Sequence, residues 1–381
     1  METPPQGRRR WLIMGTYILM TGFYWISLYL YVPTLPTYVE TKTETLALLG
    51  VILAQYGLWQ AIVRLPVGIA ADWLGRRKPF ILAGVLLAGL GAWVMGSADS
   101  ATGLLLGRAI TGLAAATWVP LTVMFSSLFP PDQAVRATSI LSVVASVSRL
   151  AATVSTGSLN ELGGYSLAFF LATGFAAVSA LILLPAPEKT RAPQRPSLRS
   201  TGQLIVRRDV LVPALLSAVA QYAIWAVPFA FLPILAERLG AGDVTLSLLV
   251  SLHIATFILG GLVATTLAER AGSRNLVRIS FGFLSLGIVV LALAPSLPLL
   301  FVGQFIFGLA VGTAYPVLMG LSIRDVDEEG RTTAMGLHQA VYAAGMFAGP
   351  WLSGILADAM GIRPMLGVTA AGCLALGMFL V

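Results

Sequence analysis

Arg64, Arg108 and Arg149 lie inside long apolar runs, with no Asp or Glu at similar depth. A charge in hydrocarbon is costly, so each of them has to face a partner or a polar cavity. A guanidinium is always protonated and presents five N–H donors in a planar fork, which matches a carboxylate or phosphate. Such residues do not make or break bonds; they recognise anions. The competing reading is structural: each arginine ties up carbonyls at a helix break or snorkels to an interface.

Neighbours at helical spacing add polar and aromatic groups. Arg64 shares a face with Tyr56 and Gln60, and Arg108 with Thr111 and Trp118. Arg149 falls in the series Ser139, Ser142, Ser146, Arg149, Thr153 and Thr156, whose alternating steps of three and four hold one face. Tyr17, Thr21, Tyr24, Ser27 and Tyr31 do the same near the N-terminus, and Ser217, Gln221 and Trp225 in the second half of the chain. His253 with Thr256, and His338 with Tyr342, supply the conventional titrating groups at depth. They are candidates to carry a coupling proton, weighed against hydrogen-bonded packing. The residues expected to line a cavity are therefore Arg64, Arg108, Arg149, Gln60, Tyr24, Trp118, Gln221, Trp225, His253 and Tyr342.

The elements that must position them are membrane helices. Of 381 residues, 57% are apolar and 11% charged. Runs of about 20 apolar residues recur along nearly the whole length, each sufficient to cross a bilayer core. Twelve helices are expected near 11–36, 46–71, 79–97, 100–122, 136–158, 165–185, 211–235, 245–268, 277–295, 298–321, 332–356 and 363–381. This places both termini in the cytoplasm. Of the 24 Lys and Arg, 18 then fall inside, three outside and three within helices, a strong positive-inside bias. The first apolar run is too long for a signal-peptide core and has no small-residue cleavage site. The net charge of +7 is distributed by topology, which argues against nucleic acid as a partner. The expected partners are the lipid bilayer of the cell membrane and a small-molecule substrate, and the chain is expected to act as a monomer. With Cys373 as the sole cysteine, no internal disulfide is possible.

Pro185 to Asp209 is rich in proline and basic residues and reads as a cytoplasmic linker. It divides the chain into a six-helix bundle over 1–185, a central loop over 186–209 and a second six-helix bundle over 210–381. The halves repeat. GRAITGLAAATWVP from Gly107 and GQFIFGLAVGTAYP from Gly303 agree at seven of fourteen positions, at an offset of 196. At an offset of 197, Asp72–Arg77 pairs with Glu269–Arg274. Equal offsets and like orientation imply parallel repeats about an axis along the membrane normal. The expected fold is thus all-α, two pseudo-twofold-related bundles. The loop of the first copy, GIAADWLGRRK from Gly68, puts Asp72 where a helix C-terminus already carries partial negative charge. That carboxylate needs a nearby arginine or the N-terminus of another helix.

These residues resemble the major facilitator superfamily over the entire chain, nearest to its bacterial drug/proton antiporter-like branch. Gly68, Asp72, Gly75, Arg76 and Arg77 match the pattern of its second loop, with Trp73 where arginine is usual; Glu269, Arg270 and Gly272 form the second copy. The resemblance implies that these eight matching residues act in gating, and that Arg108, with Thr111 and Gly112, lies where proton-coupled members carry a coupling arginine. Arg64 resembles the helix-2 arginine of nitrate porters, but their glycine-rich signatures are absent. The Gly-Pro motif of drug antiporters is missing from the fifth helix; a similar string, Gly345, Gly349, Pro350 and Gly354, occurs near the end of the chain.

Nucleotide-binding, hydrolase and metal signatures are missing from the sequence, so no enzyme activity and no cofactor are expected. The expected function is secondary active transport by alternating access, with an anionic or zwitterionic organic substrate. Export of amphipathic drugs by proton antiport is the alternative in the same fold. A non-transporting membrane receptor is the remote one.

Overall fold

The computed structural model describes residues 8–130, 133–188 and 207–380, and they are almost wholly helical. In chain order the helices are α1 (Arg8–Tyr29), α2 (Leu35–Glu40), α3 (Leu46–Leu74), α4 (Lys78–Gly96), α5 (Ala101–Ala116), α6 (Trp118–Ser126) and α7 (Ala134–Leu183). There follow α8 (Arg208–Ala226), α9 (Leu232–Arg238), α10 (Asp243–Ala271), α11 (Ser273–Leu293), α12 (Leu297–Arg324), α13 (Glu328–Met360) and α14 (Ile362–Phe379). A 3₁₀ turn joins α1 to α2, and a π turn over Val227–Phe231 joins α8 to α9. Proline sets several of these interruptions. Pro228 has no amide hydrogen to continue the ladder, and the residue before it, Val227, leaves helical geometry.

Eleven helical stretches among the described residues are long and apolar enough to cross a membrane, where twelve were expected. The difference lies in α7, 50 residues long, which holds both expected helices of 136–158 and 165–185. They are two helices that meet at a kink, where Gly163 (φ −153°) and Gly164 (φ 67°) leave helical geometry, the latter in the left-handed region that glycine tolerates.

By packing the chain forms two units, one of residues 8–32 and 62–188, the other of residues 33–61 and 207–380. In the first, α1 packs along α7, and α4 along α5 and α7. In the second, α10 and α11 pack on α12, α8 on α13, and α11 on α14. Residues 33–61 are held there by glycine: a Cβ on Gly57 would stand 2.5 Å from the Met346 carbonyl carbon.

The repeat is built into the helix crossings. In the first unit a Cβ on Gly91 would lie 2.8 Å from the Gly107 oxygen, and one on Gly107 2.9 Å from the Gly91 oxygen. In the second unit Gly287 and Gly303 show the same reciprocal approach, at 3.0 and 3.1 Å. These are the same positions 196 residues on. Small residues let helix backbones approach this closely, and packing is what associates helices in lipid. The loop glycines repeat as well: Gly75 has φ 66° and Gly272, 197 residues later, has φ 78°.

Candidate functional site

The first unit gathers all three intramembrane arginines, each in a different setting. Arg108 is 2% exposed on α5, beside Thr111 and the Tyr31 ring that follows α1. Arg64 is 8% exposed on α3, within electrostatic reach of Tyr24. The Tyr24 hydroxyl donates to the Ala114 carbonyl at 2.8 Å, at the break between α5 and α6. The same carbonyl also accepts the Thr117 backbone N–H (3.1 Å) and the Thr117 hydroxyl (2.8 Å), so Tyr24 ties α1 to a carbonyl already bonded within the break.

Arg149 is the half-buried member. Its guanidinium carbon stands 4.4 Å from the centre of the Trp25 ring and 5.4 Å from that of Tyr29, both on α1. Its Nε donates to the Ala145 carbonyl one turn back, at 3.1 Å. Trp25 in turn meets Trp118 edge-on at 5.2 Å. A cation over an aromatic face in a partly desolvated site is worth about 0.5–2 kcal/mol. Both terminal nitrogens of Arg149 remain without a hydrogen-bond acceptor among the described residues.

The polar face on which Arg149 lies changes character along α7. Ser139 and Ser142 are exposed, whereas Thr153 and Thr156 are fully buried. The Thr156 hydroxyl donates to the Leu30 carbonyl at 2.7 Å, where α1 has ended. This end of the face holds helices together.

In the second unit the expected residues string along one run of rings. Trp225 on α8 stacks on Tyr56 at 4.9 Å and meets Phe229 at 5.0 Å. Phe229 meets His253 of α10 edge-on at 5.5 Å. His253 is also flanked by Phe257 and Phe307, and its Nδ1 has no hydrogen-bond partner among the described residues. The run continues through Phe257 and Tyr315 to Tyr342, which meets His338 at 6.2 Å. His338 is buried, with Nδ1 2.6 Å from the Ser322 hydroxyl. Gln60 is buried, donating to the Tyr56 carbonyl at 3.4 Å, and Gln221 is half-buried one turn before Trp225.

The loop that begins at Gly68 is bound within the first unit. Asp72 is ion-paired with Arg77, one of the two solutions its position requires. Gly75 carries the turn, while Arg76 and Trp73 are exposed. Gly68 leaves room for Val119, 3.7 Å from where a Cβ would be. The helix N-terminus is occupied by another carboxylate. Glu188, just after α7, accepts the backbone N–H groups of Arg77 and of Lys78 (2.8 Å), the latter opening α4. Lys78 reciprocates, its Nζ donating to the Leu184 and Ala186 carbonyls at 2.7 Å each. Each helix end thus receives the charge that its backbone groups favour. In the second copy Glu269 and Arg270 are exposed at the end of α10, and neither forms an ion pair among the described residues.

Sequence reasoning missed Trp25, Tyr29, Phe307 and Glu188. Trp25 lies one position off the tyrosine face of α1, and the Glu188 partners are more than 100 residues away in sequence. Among the described residues no group of three or more His, Cys, Asp or Glu is placed to hold a metal.

A profile of the Major Facilitator Superfamily matches residues 17–224 and 214–381. An uncharacterized transporter of Buchnera aphidicola subsp. Schizaphis graminum is 32% identical over 136 residues, 36% of this chain and 34% of that protein. The inner membrane transport protein YajR of Escherichia coli is 32% identical over 111 residues, 29% of this chain and 23% of its own length. The alignments therefore span about a third or less of these two relatives. A solved bacterial homologue of the human lysosomal transporter Spinster, in an inward-facing and occupied conformation, superposes with a TM-score of 0.82. That match covers 99% of this chain and 97% of the other at 16% identity, a likeness of fold. By the profile, which spans nearly its whole length, the chain belongs to the Major Facilitator Superfamily of multi-pass membrane transporters.

Proposed function

We propose that this protein is a secondary active transporter of a small organic anion or zwitterion, with Arg149 as the group that receives the negative charge. One observation carries this reading. Arg149 is held by two aromatic faces and one carbonyl, while both its terminal nitrogens lack an acceptor among the described residues. A cation fixed on this rigid support is already oriented, so an arriving carboxylate does not meet the cost of ordering it. Arg64 and Arg108 are more deeply buried and belong to the surroundings of Tyr24 and Tyr31.

In this reading α7 counts as two spans, giving twelve, and the halves 1–185 and 210–381 alternate access about a midplane site. The matched glycine crossings support two bodies of like construction. Both termini are then cytoplasmic. Coupling to a proton, if used, falls to His253 or His338, since none of the acids lies at mid-membrane depth.

The aromatic run from Tyr56 to Tyr342 favours a second reading, export of amphipathic compounds by stacking on these rings. Flux in proteoliposomes separates the two. Under the first reading, anionic probes are transported and lipophilic cations are not, and Arg149→Gln abolishes the preference. Transport of lipophilic cations that is indifferent to Arg149→Gln refutes it.

A further inference from the structure

Two adjoining cavities open at one end of the second unit, away from the aromatic run and beside the second copy of the loop motif, whose Gly272 lines one of them. One, of about 380 Å³, lies between the ends of α8, α11, α12 and α14. Its floor is apolar, with Val212, Val277, Leu321 and Leu380 continuing the buried cluster around Phe281. Its rim is basic: Arg208 opens α8, Arg274 lies in the first turn of α11, and Arg324 ends α12. The second cavity, about 400 Å³, shares Arg274 and Arg324 and is completed by Gly272, Ser273 and Asn275. These residues start α11, whose first turn has no side-chain cap.

The charges do not cancel. Of the two acids on the rim, Asp209 is paired with Arg207 at 2.5 Å and Asp325 with Arg324 at 3.0 Å. Arg207 also donates to the Asp325 carbonyl at 2.7 Å. Arg208 and Arg274 have no carboxylate partner among the described residues, leaving two positive charges over an apolar slot. A soluble anion would have no use for the floor, and a hydrocarbon no use for the rim. A molecule with both parts, at the ends of membrane helices, is a phospholipid. Basic pockets between helices at this depth attract anionic headgroups.

We propose that this double cavity binds an anionic phospholipid of the surrounding leaflet. The phosphate lies against Arg208, Arg274 and the uncapped start of α11, and an acyl chain runs along Val212, Val277 and Leu380. The proposal is independent of the transported substrate.

The test uses the full chain in detergent micelles, titrated with phosphatidylglycerol or phosphatidylcholine and read by native mass spectrometry. Phosphatidylglycerol is expected to be retained in preference to phosphatidylcholine. Arg208→Gln with Arg274→Gln is expected to weaken that retention roughly 30-fold, from about fivefold per basic residue at a membrane surface. Arg278→Gln, on the same helix but outside both cavities, should leave it unchanged. Equal retention of the two lipids, or an undiminished preference in the double variant, overturns the proposal. So does displacement of the lipid by inorganic phosphate alone, which would mark a soluble-anion site. Should the double variant fail to fold, a photoactivatable phosphatidylglycerol on the native chain decides: crosslinks at Val212, Leu321 or Leu380 uphold the site, and crosslinks confined elsewhere overturn it.

Discussion

Gly287 is the sharpest place to test whether the repeated crossings hold each unit together. A Cβ there would stand 2.8 Å from the Phe307 nitrogen, 3.0 Å from the Phe307 Cα and 3.0 Å from the Gly303 oxygen. All three are backbone atoms of α12, so no side chain can swing away, and the helices must part by about half an ångström. Overpacking of this kind costs about 1–3 kcal/mol. Alanine also returns roughly 0.5–1 kcal/mol of helix preference over glycine, whatever the site. The control is therefore another helical glycine: Gly372 in α14 is exposed and has nothing within 4 Å of its Cβ position. The helix gain is common to both variants, so their difference isolates the overpacking term of about 1–3 kcal/mol. Unfolding in mixed micelles, followed by circular dichroism, should place Gly287→Ala below the parent and Gly372→Ala at or above it. Gly91→Ala, whose Cβ would lie 2.8 Å from the Gly107 oxygen, should move in the same direction. Gly303→Ala, which first meets the Leu291 side chain, should be milder. If Gly287→Ala is as stable as Gly372→Ala, the crossing does not depend on glycine.

Further outcomes follow from single side chains. Arg149→Lys should keep the charge but lose the flat guanidinium stack, lowering apparent substrate affinity less than Arg149→Gln, which removes a charged hydrogen-bond partner worth about 1.5–3 kcal/mol, as read by KM in proteoliposome uptake. Glu188→Ala should loosen the start of α4 by about 1 kcal/mol, the usual scale of a lost cap, and raise hydrogen exchange at the Arg77 and Lys78 amides. Arg363→Met should destabilise the second unit by about 1–3 kcal/mol, because its two terminal nitrogens hold the Ala292 and Ala294 carbonyls at 2.7 Å; chemical denaturation would show it.

The helices were legible because hydropathy and charge act locally, along the chain. The repeat was legible for the same reason, and the structure gives its glycines a shared task. Asp72 announced its need for a cation, and Arg77 was close enough in sequence to be found. The tightness of the joint inside α7 was not legible: two helices are there as expected, but a glycine pair between apolar runs does not say whether they are joined by a loop or by a kink. Nor was the setting of Arg149: helical periodicity assigns residues to faces but does not say which ring of a neighbouring helix a face will meet. Trp25 was passed over on that account. The basic cavity lies at four helix ends separated by up to about 170 residues, and each arginine alone looks like an ordinary topology signal.

The reciprocal grip of Glu188 and Lys78 has a mechanical consequence. The chain leaves α7 at Leu183 and reaches Glu188 five residues later. A load on the residues that follow α7 meets a joint fastened at both ends, and so is shared with the foot of α4, beside Asp72 and Arg77, before it can unwind the last turn of α7.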